Sequence, residues 1–185
     1  MSRFKRGGSQ VLITLADYEE AVLESLVEQL IDLLEGDEVR SAPDDPFARW
    51  EAEMAAPGGL DASDPVIARL FPPAYRDDPK AEQEFRRFTE TAQRRTKIEQ
   101  AKLVLDALVE TNGGREPVVV RATDLEAWLR TITAIRLAQA VRLGIETADD
   151  VQALEELDED EPRAVLYGMY EWLGHFLESL IDKAQ

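Results

Sequence analysis

Residues 162–181, PRAVLYGMYEWLGHFLESLI, decide the predicted fold. Pro162 suits the first position of a helix, where its missing N–H costs no hydrogen bond. Apolar side chains then recur at helical spacing around more than half of the helix circumference; they are Val165, Leu166, Met169, Tyr170, Trp172, Leu173, Phe176, Leu177, Leu180 and Ile181. Because so wide an apolar surface has to be covered on several sides, we expect this helix at the centre of a mainly helical core.

A second long helix is predicted near the start of the chain. Asp17 and Glu20 have the spacing of a capping box, apolar residues follow at helical spacing, and Gly36 is expected to end the helix. Residues 37–63 are acidic and rich in proline and glycine. We expect a flexible loop there, with one short helix that starts at Asp45.

Similar signals place the boundaries of the remaining helices. An Asp followed by Pro supplies an N-cap carboxylate and a fixed φ angle at the first helical position. This pattern predicts two helix starts, and three further boundaries follow from capping residues. They are Asp64-Pro65, Asp78-Pro79 for a helix that reaches about Glu110, the capping box of Thr123 with Glu126, the helix end at Gly144, and the N-cap Thr147.

A small antiparallel sheet completes the predicted fold. Residues 1–15 read as a β-hairpin that turns at Gly7-Gly8-Ser9, and residues 117–121 are a β-branched candidate for a third strand. We therefore predict one mainly α domain over residues 1–185, with five to six helices and a two- to three-stranded antiparallel sheet. The expected core includes Leu26, Leu30, Phe85, Trp128, Ile135, Tyr170 and Leu173.

The composition excludes most catalytic chemistry. The 185 residues contain no cysteine and a single histidine, His175, so thiol catalysis and Cys/His metal sites lack their residues. We find no catalytic constellation and predict a protein that is not an enzyme and needs no cofactor or metal. His175, among aromatic neighbours on the last helix, is expected to be structural or exposed. No apolar run resembles a secretion signal or a membrane span, which predicts a soluble cytoplasmic protein.

The charge balance favours protein partners over nucleic acid. With 38 acidic and 21 basic residues, the net charge is −17. Such a charge repels DNA and acidic membranes and attracts basic protein surfaces. The acidic stretch 149–161 lacks the alternating ligands and glycine of a calcium loop. It is therefore either a solvated, mobile loop or a docking surface for a basic partner.

One cluster of basic residues is an exception to the acidic character of the chain. Arg86, Arg87, Arg94, Arg95 and Lys97 lie on the helix predicted from Asp78 onward. Acidic residues three or four positions away allow ion pairs within the helix, which accounts for much of the cluster. Direct DNA binding through this helix is the alternative interpretation, although no recognition motif accompanies it.

The segments DPVIARLFPPAYRDD (residues 64–78) and EFRRFT (residues 84–89) are more distinctive than the composition requires. They resemble the signature of an actinobacterial family of a domain of unknown function, and the resemblance extends over nearly the full chain. The candidate interaction residues in these segments are Arg69, Tyr75, Arg76, Asp77, Arg86 and Arg87. The structural alternative is that Asp–Arg pairs hold the proline-rich loop against the long helix.

The resemblance implies a regulatory function. The family includes an oxidative-stress transcriptional regulator that is thought to bind an alternative sigma factor and to sense oxidants through a cysteine pair. Because this chain has no cysteine, the resemblance implies a protein partner, such as a sigma factor or RNA polymerase, without the sensor. The alternative is a small helical ligand-binding protein or enzyme with an arginine-lined anion pocket beside Tyr75, Arg76 and Arg86. A homodimer also stays open, through an apolar stripe left over on the first or last helix.

Overall fold

The computed structural model of the protein describes residues 2–40, 63–111 and 113–184. Within these residues the chain forms three strands and six helices, so the fold is mainly α, as predicted. In chain order they are Arg3–Gly7 (β1), Gln10–Thr14 (β2), Asp17–Arg40 (α1), Pro65–Leu70 (α2), Pro79–Val109 (α3), Val118–Arg121 (β3), Leu125–Leu143 (α4), Ala148–Glu155 (α5) and Pro162–Ala184 (α6).

The three strands form one antiparallel sheet in the order β1-β2-β3, which confirms the predicted hairpin and third strand. The hairpin turns at Gly8, whose φ of 71° is readily adopted only by glycine. Val11 in β2 pairs with Val120 in β3, and both side chains are buried. The sheet therefore presents one apolar face to the helices.

The Asp-Pro helix starts are confirmed. The Asp64 carboxylate accepts hydrogen bonds from the backbone N–H groups of Val66 (2.7 Å) and Ile67 (3.4 Å). Asp78 caps α3 in the same way. Thr147 forms a complete capping box with Asp150, and Gly144 ends α4 with a φ of 73°. These signals were readable because each depends on residues only two or three positions apart.

Two predicted capping boxes are wrong. α1 begins at Asp17, but the carboxylate that reaches back is Glu19, which accepts a hydrogen bond from the Ala16 N–H at 2.9 Å. The Glu20 side chain is buried and accepts a hydrogen bond from the Thr111 hydroxyl instead of capping the helix. α4 begins after Asp124, which makes no capping hydrogen bond through its side chain.

Gly36 ends the first helical segment of α1, as predicted, and a second short segment follows it directly. Its φ of 62° and ψ of 175° break the helical geometry, and the helix then resumes as far as Arg40. The loop predicted from residue 37 therefore begins later than expected. The predicted short helix at Asp45 and the rest of that loop fall within residues 41–62, outside the described residues.

The main core lies between α1, α2, α3, α4, α6 and the sheet. Among the predicted members, Leu30, Trp128, Ile135 and Leu173 are confirmed as buried. Leu26 is only partly buried against the core. Phe85 is not in this core, since its ring contacts Tyr75 in the loop before α3. Tyr170 belongs to a second, smaller cluster around Leu143, Leu154 and Tyr167.

α6 lies at one side of the core rather than at its centre. Leu173, Phe176 and Leu180 face α4 and the sheet and are buried. On the outer face Val165 and Ile181 are 53% and 44% exposed. The predicted central position was wrong because the described elements cover only one face of this helix.

Candidate functional site

The signature residues lie on and beside an exposed loop between α2 and α3. Arg69, Tyr75, Arg76, Asp77 and Arg87 are all exposed, and Arg86 is half-buried. Tyr75 retains half of its surface in solvent. The structure therefore places these residues near one another without gathering them into an enclosed site.

The loop is held by a different contact from the predicted Asp–Arg pairs. The Glu82 carboxylate accepts hydrogen bonds from the backbone N–H groups of Ala74 (2.8 Å) and Tyr75 (2.9 Å). Arg86 pairs with Glu90 of its own helix at 2.8 Å. Within the described residues Asp77 makes no ion pair with an arginine, so that prediction was wrong.

The rest of the basic cluster on α3 is partly used within the fold. The Lys97 ammonium lies 5.6 Å from the centre of the Phe71 ring, in cation–π range. Burial, with a smaller contribution from the nearby Arg130 guanidinium, lowers the pKa of Lys97. These contacts, together with the Arg86–Glu90 pair, reduce the positive surface that α3 offers to a ligand.

Two concavities of the described chain lie away from this loop. One is a small cavity of about 90 Å³ beside the hairpin turn, where Arg6, Arg121 and Lys183 converge. Two of these cations already have carboxylate neighbours, since Arg121 lies 3.5 Å from Asp124 and Lys183 lies 2.6 Å from Asp182. This cavity is therefore a poor match to the predicted arginine-lined pocket, which was placed beside Tyr75, Arg76 and Arg86.

The second concavity is an open groove of about 350 Å³ between α5, the following turn and α6. We call it the α5–α6 groove. It combines an apolar floor with carboxylates. The lining residues are Leu154, Glu155, Leu157, Glu159, Ala164, Val165, Tyr167, Gly168 and Glu171.

Local sequence signals build this groove. The Thr147 cap starts α5, and Leu154 anchors it in the second cluster. The Arg163 guanidinium donates a hydrogen bond to the Leu143 carbonyl at 2.9 Å, which ties the start of α6 to the end of α4. Gly168 leaves the groove open, since outside its own helix backbone and its two neighbours no atom of the described chain lies within 4 Å of where a Cβ would stand. A glycine inside an apolar helix was the signal that the sequence analysis missed.

Carboxylates dominate the electrostatics of the groove. Residues 146–161 contain nine acidic residues and no basic one. The Tyr167 hydroxyl lies 3.3 Å from the Glu155 carboxylate. Burial, together with the charges of Glu171 and Glu155, raises the pKa of Tyr167 from 10.0 to about 12. The acidic stretch is thus ordered around an apolar floor, with a buried phenol beneath its rim.

The raised pKa of Tyr167 predicts a loss of stability at alkaline pH. In the unfolded chain the phenol ionises near its ordinary pKa of 10.0, whereas in the folded protein it stays neutral until about pH 12. Between these two pH values, ionisation of the phenol lowers the free energy of the unfolded state only. The free energy of unfolding therefore falls as the pH rises through this window. We expect Tyr167→Phe to lose less stability than wild type as the pH rises from 10.0 to about 12, measured by urea unfolding. Tyr18→Phe is the control at an exposed phenol, and an equal benefit from both variants would contradict the assignment.

We expect alanine to have opposite effects on the free energy of unfolding at two glycines of α6. Gly168→Ala should raise the free energy of unfolding by about 0.5–1 kcal/mol, because alanine favours the helix and meets nothing within 4 Å. At Gly174 a Cβ would lie 3.1 Å from the Arg136 guanidinium, which packs 4.3 Å from the centre of the Tyr170 ring. Displacing that cation should make Gly174→Ala destabilising by about 1 kcal/mol. Urea unfolding measures both, and equal stabilisation would mean that Arg136 moves aside freely.

The remaining sequence candidates do not form a metal-binding cluster in the described part of the chain. The His175 side chain is 70% exposed and lies 3.6 Å from Glu178. It is therefore an exposed residue, one of the two predicted roles. No three histidine, cysteine or carboxylate side chains of residues 2–40, 63–111 and 113–184 are arranged to hold a metal ion. None of the helices in these ranges is long and apolar enough to cross a membrane.

Together these features define a mainly α protein with a three-stranded antiparallel sheet and an open acidic groove on its last two helices. The chain belongs to the family described as a domain of unknown function (DUF2017), whose model matches residues 1–184. This confirms that the resemblance seen in residues 64–78 and 84–89 is to a domain-of-unknown-function family. No curated protein and no solved structure matches the chain.

Proposed function

We propose that this protein is a non-enzymatic regulator or adaptor that acts by binding a basic protein partner. The observation that carries the proposal is the acidic stretch 146–161, which is ordered beside the apolar floor of the α5–α6 groove. A rim of carboxylates around exposed apolar surface suits protein recognition, since charge steers the encounter and apolar contact holds the complex.

The resemblance narrows the class of partner. The family that the chain resembles is thought to include the actinomycete oxidative-stress regulator AosR, which is thought to bind an alternative sigma factor. A sigma factor or RNA polymerase is therefore the partner that we propose, and the cytoplasm is where the protein would meet it. The absence of cysteine argues against a thiol sensor in this chain, so the regulatory signal would come from the partner or from expression.

Binding to purified RNA polymerase and sigma factors from the native organism tests this function. Biolayer interferometry should detect a complex whose association rate falls several-fold between about 50 mM and about 300 mM salt, because charges at the rim are screened. Duplex DNA is the comparison ligand. Salt-sensitive binding to DNA alone, with no binding to polymerase or sigma factor, would instead support direct DNA binding through α3.

A further inference from the structure

We propose that the α5–α6 groove binds a basic amphipathic helix of the partner, with one apolar side chain of that helix seated over Gly168. The inference rests on the proposed function, because it names the surface and the chemistry through which the partner would be held. Nothing in the family description assigns a binding surface.

The shape of the groove supports an apolar anchor. Gly168 is exposed, and an added Cβ would meet no atom of the described chain within 4 Å beyond its own helix backbone and its two neighbours. Ala164, one turn earlier, also lines the groove. Leu157 and Val165 add apolar surface, and more than half of Val165 is in solvent. Two helices with small residues at the seam form a channel that suits a third helix, as in other helix-in-groove complexes.

The charges select a basic partner. Glu155, Glu159 and Glu171 line the groove, and no lysine, arginine or histidine is among its lining residues. A neutral helix would bury carboxylates without compensation, whereas lysines or arginines beside the apolar anchor would pair with them. The nearby charges also make the groove attractive to a basic segment before contact.

A second copy of this chain fits the groove less well. The described basic residues of α3 are partly engaged, since Arg86 pairs with Glu90 and Lys97 packs on Phe71. A contact between α3 of one copy and the groove of another would also join two different surfaces. Such a contact produces open filaments unless the rotation that relates successive copies closes them into a ring.

A peptide with an apolar helical face and basic side chains, and no other recognition feature, tests whether an apolar anchor sits over Gly168. The probe is a fluorescein-labelled, 18-residue peptide of leucine, lysine and alanine, with its leucines on one helical face, read by fluorescence anisotropy. Gly168→Leu fills the groove without changing charge and should weaken binding about tenfold or more. His175→Leu adds the same side chain seven residues further along α6, at an exposed position, and should bind within about twofold of wild type. Equal affinities for Gly168→Leu and wild type would overturn the proposal.

Two matched charge variants separate the groove from the net charge. Glu159→Gln with Glu171→Gln removes two groove carboxylates, and Glu110→Gln with Glu116→Gln removes two exposed carboxylates elsewhere. Both variants change the net charge equally. The groove variant should bind the peptide about tenfold more weakly, and the control should stay within about twofold. Equal losses would show that the total charge, and not the groove, attracts the peptide.

The same variants distinguish failure of this inference from failure of the proposed function. If Gly168→Leu still binds polymerase or a sigma factor like wild type, the function stands and the groove assignment is overturned. If the peptide experiments succeed and neither polymerase nor sigma factor binds, the groove stands and the proposed partner class fails. Concentration-dependent self-association that Gly168→Leu abolishes, seen by sedimentation velocity, would replace the basic partner with a second copy.

Discussion

Phe176→Ala is expected to lower the free energy of unfolding by about 3–5 kcal/mol, the range for a buried aromatic residue cut back to alanine. Phe176 is 1% exposed, and its ring joins three parts of the fold. The ring centre lies 5.0 Å from that of Phe4 in β1, 6.1 Å from Trp128 in α4 and 5.8 Å from Trp172 in α6. Alanine would leave a cavity at the junction of sheet and helices.

Urea unfolding followed by far-UV circular dichroism measures this loss. Phe88→Ala is the matched control, because it removes the same ring from a position that is 75% exposed. That variant should stay within about 0.5 kcal/mol of wild type. Since domains of this size unfold with about 5–15 kcal/mol, Phe176→Ala should leave the protein only marginally folded. A similar small effect of both variants would mean that the aromatic cluster does not hold the sheet against α4 and α6.

Gly114→Ala is expected to have the second largest effect, a loss of about 2–4 kcal/mol. Gly114 has a φ of 74°, which is unfavourable for alanine, and an added Cβ would lie 2.7 Å from a carboxylate oxygen of Glu20. Glu20 cannot retreat easily, because it is 4% exposed and accepts a hydrogen bond from the Thr111 hydroxyl. The substitution would therefore add both backbone strain and displacement of a buried carboxylate.

Gly113→Ala separates these two contributions. Gly113 has nearly the same φ, 70°, but apart from its two neighbours no atom of the described chain lies within 4 Å of its added Cβ. Gly113→Ala should lower the free energy of unfolding by only about 1 kcal/mol, the cost of placing alanine at a positive φ. The difference between the two variants in urea unfolding then measures the clash with Glu20. If the variants lose equal stability, the carboxylate moves without cost and the argument for a rigid contact fails.

The comparison of predicted and observed helix starts shows what local sequence can specify. Asp64, Asp78 and Thr147 cap their helices as predicted, because cap and amide are neighbours in the chain. The box of Asp17 with Glu20 failed for a tertiary reason. Glu20 turns toward Thr111, which is 91 residues away in sequence, and Glu19 makes the local contact instead.

The candidate site was predicted only in part. The acidic stretch 149–161 was predicted as a docking candidate from composition alone, because its charge can be read from the sequence. Its apolar floor was not recognised. Leu157, Val165 and Gly168 line one groove only because α5 and the turn after it pack against α6. For the signature residues, the sequence was distinctive but the structure gave no enclosed site, because Tyr75 and Arg76 lie in an exposed loop.

By itself, the sequence determined the mainly helical class, the three-stranded sheet, most helix boundaries and the acidic character of the chain. Capping, strand alternation and net charge depend on residues close together or on composition alone. Only the tertiary structure decided that α6 would cover the core with one face and leave the other open, and that Phe85 would lie outside the core. Burial depends on which distant elements meet, and helical periodicity cannot tell an apolar face that will be covered from one that stays in solvent.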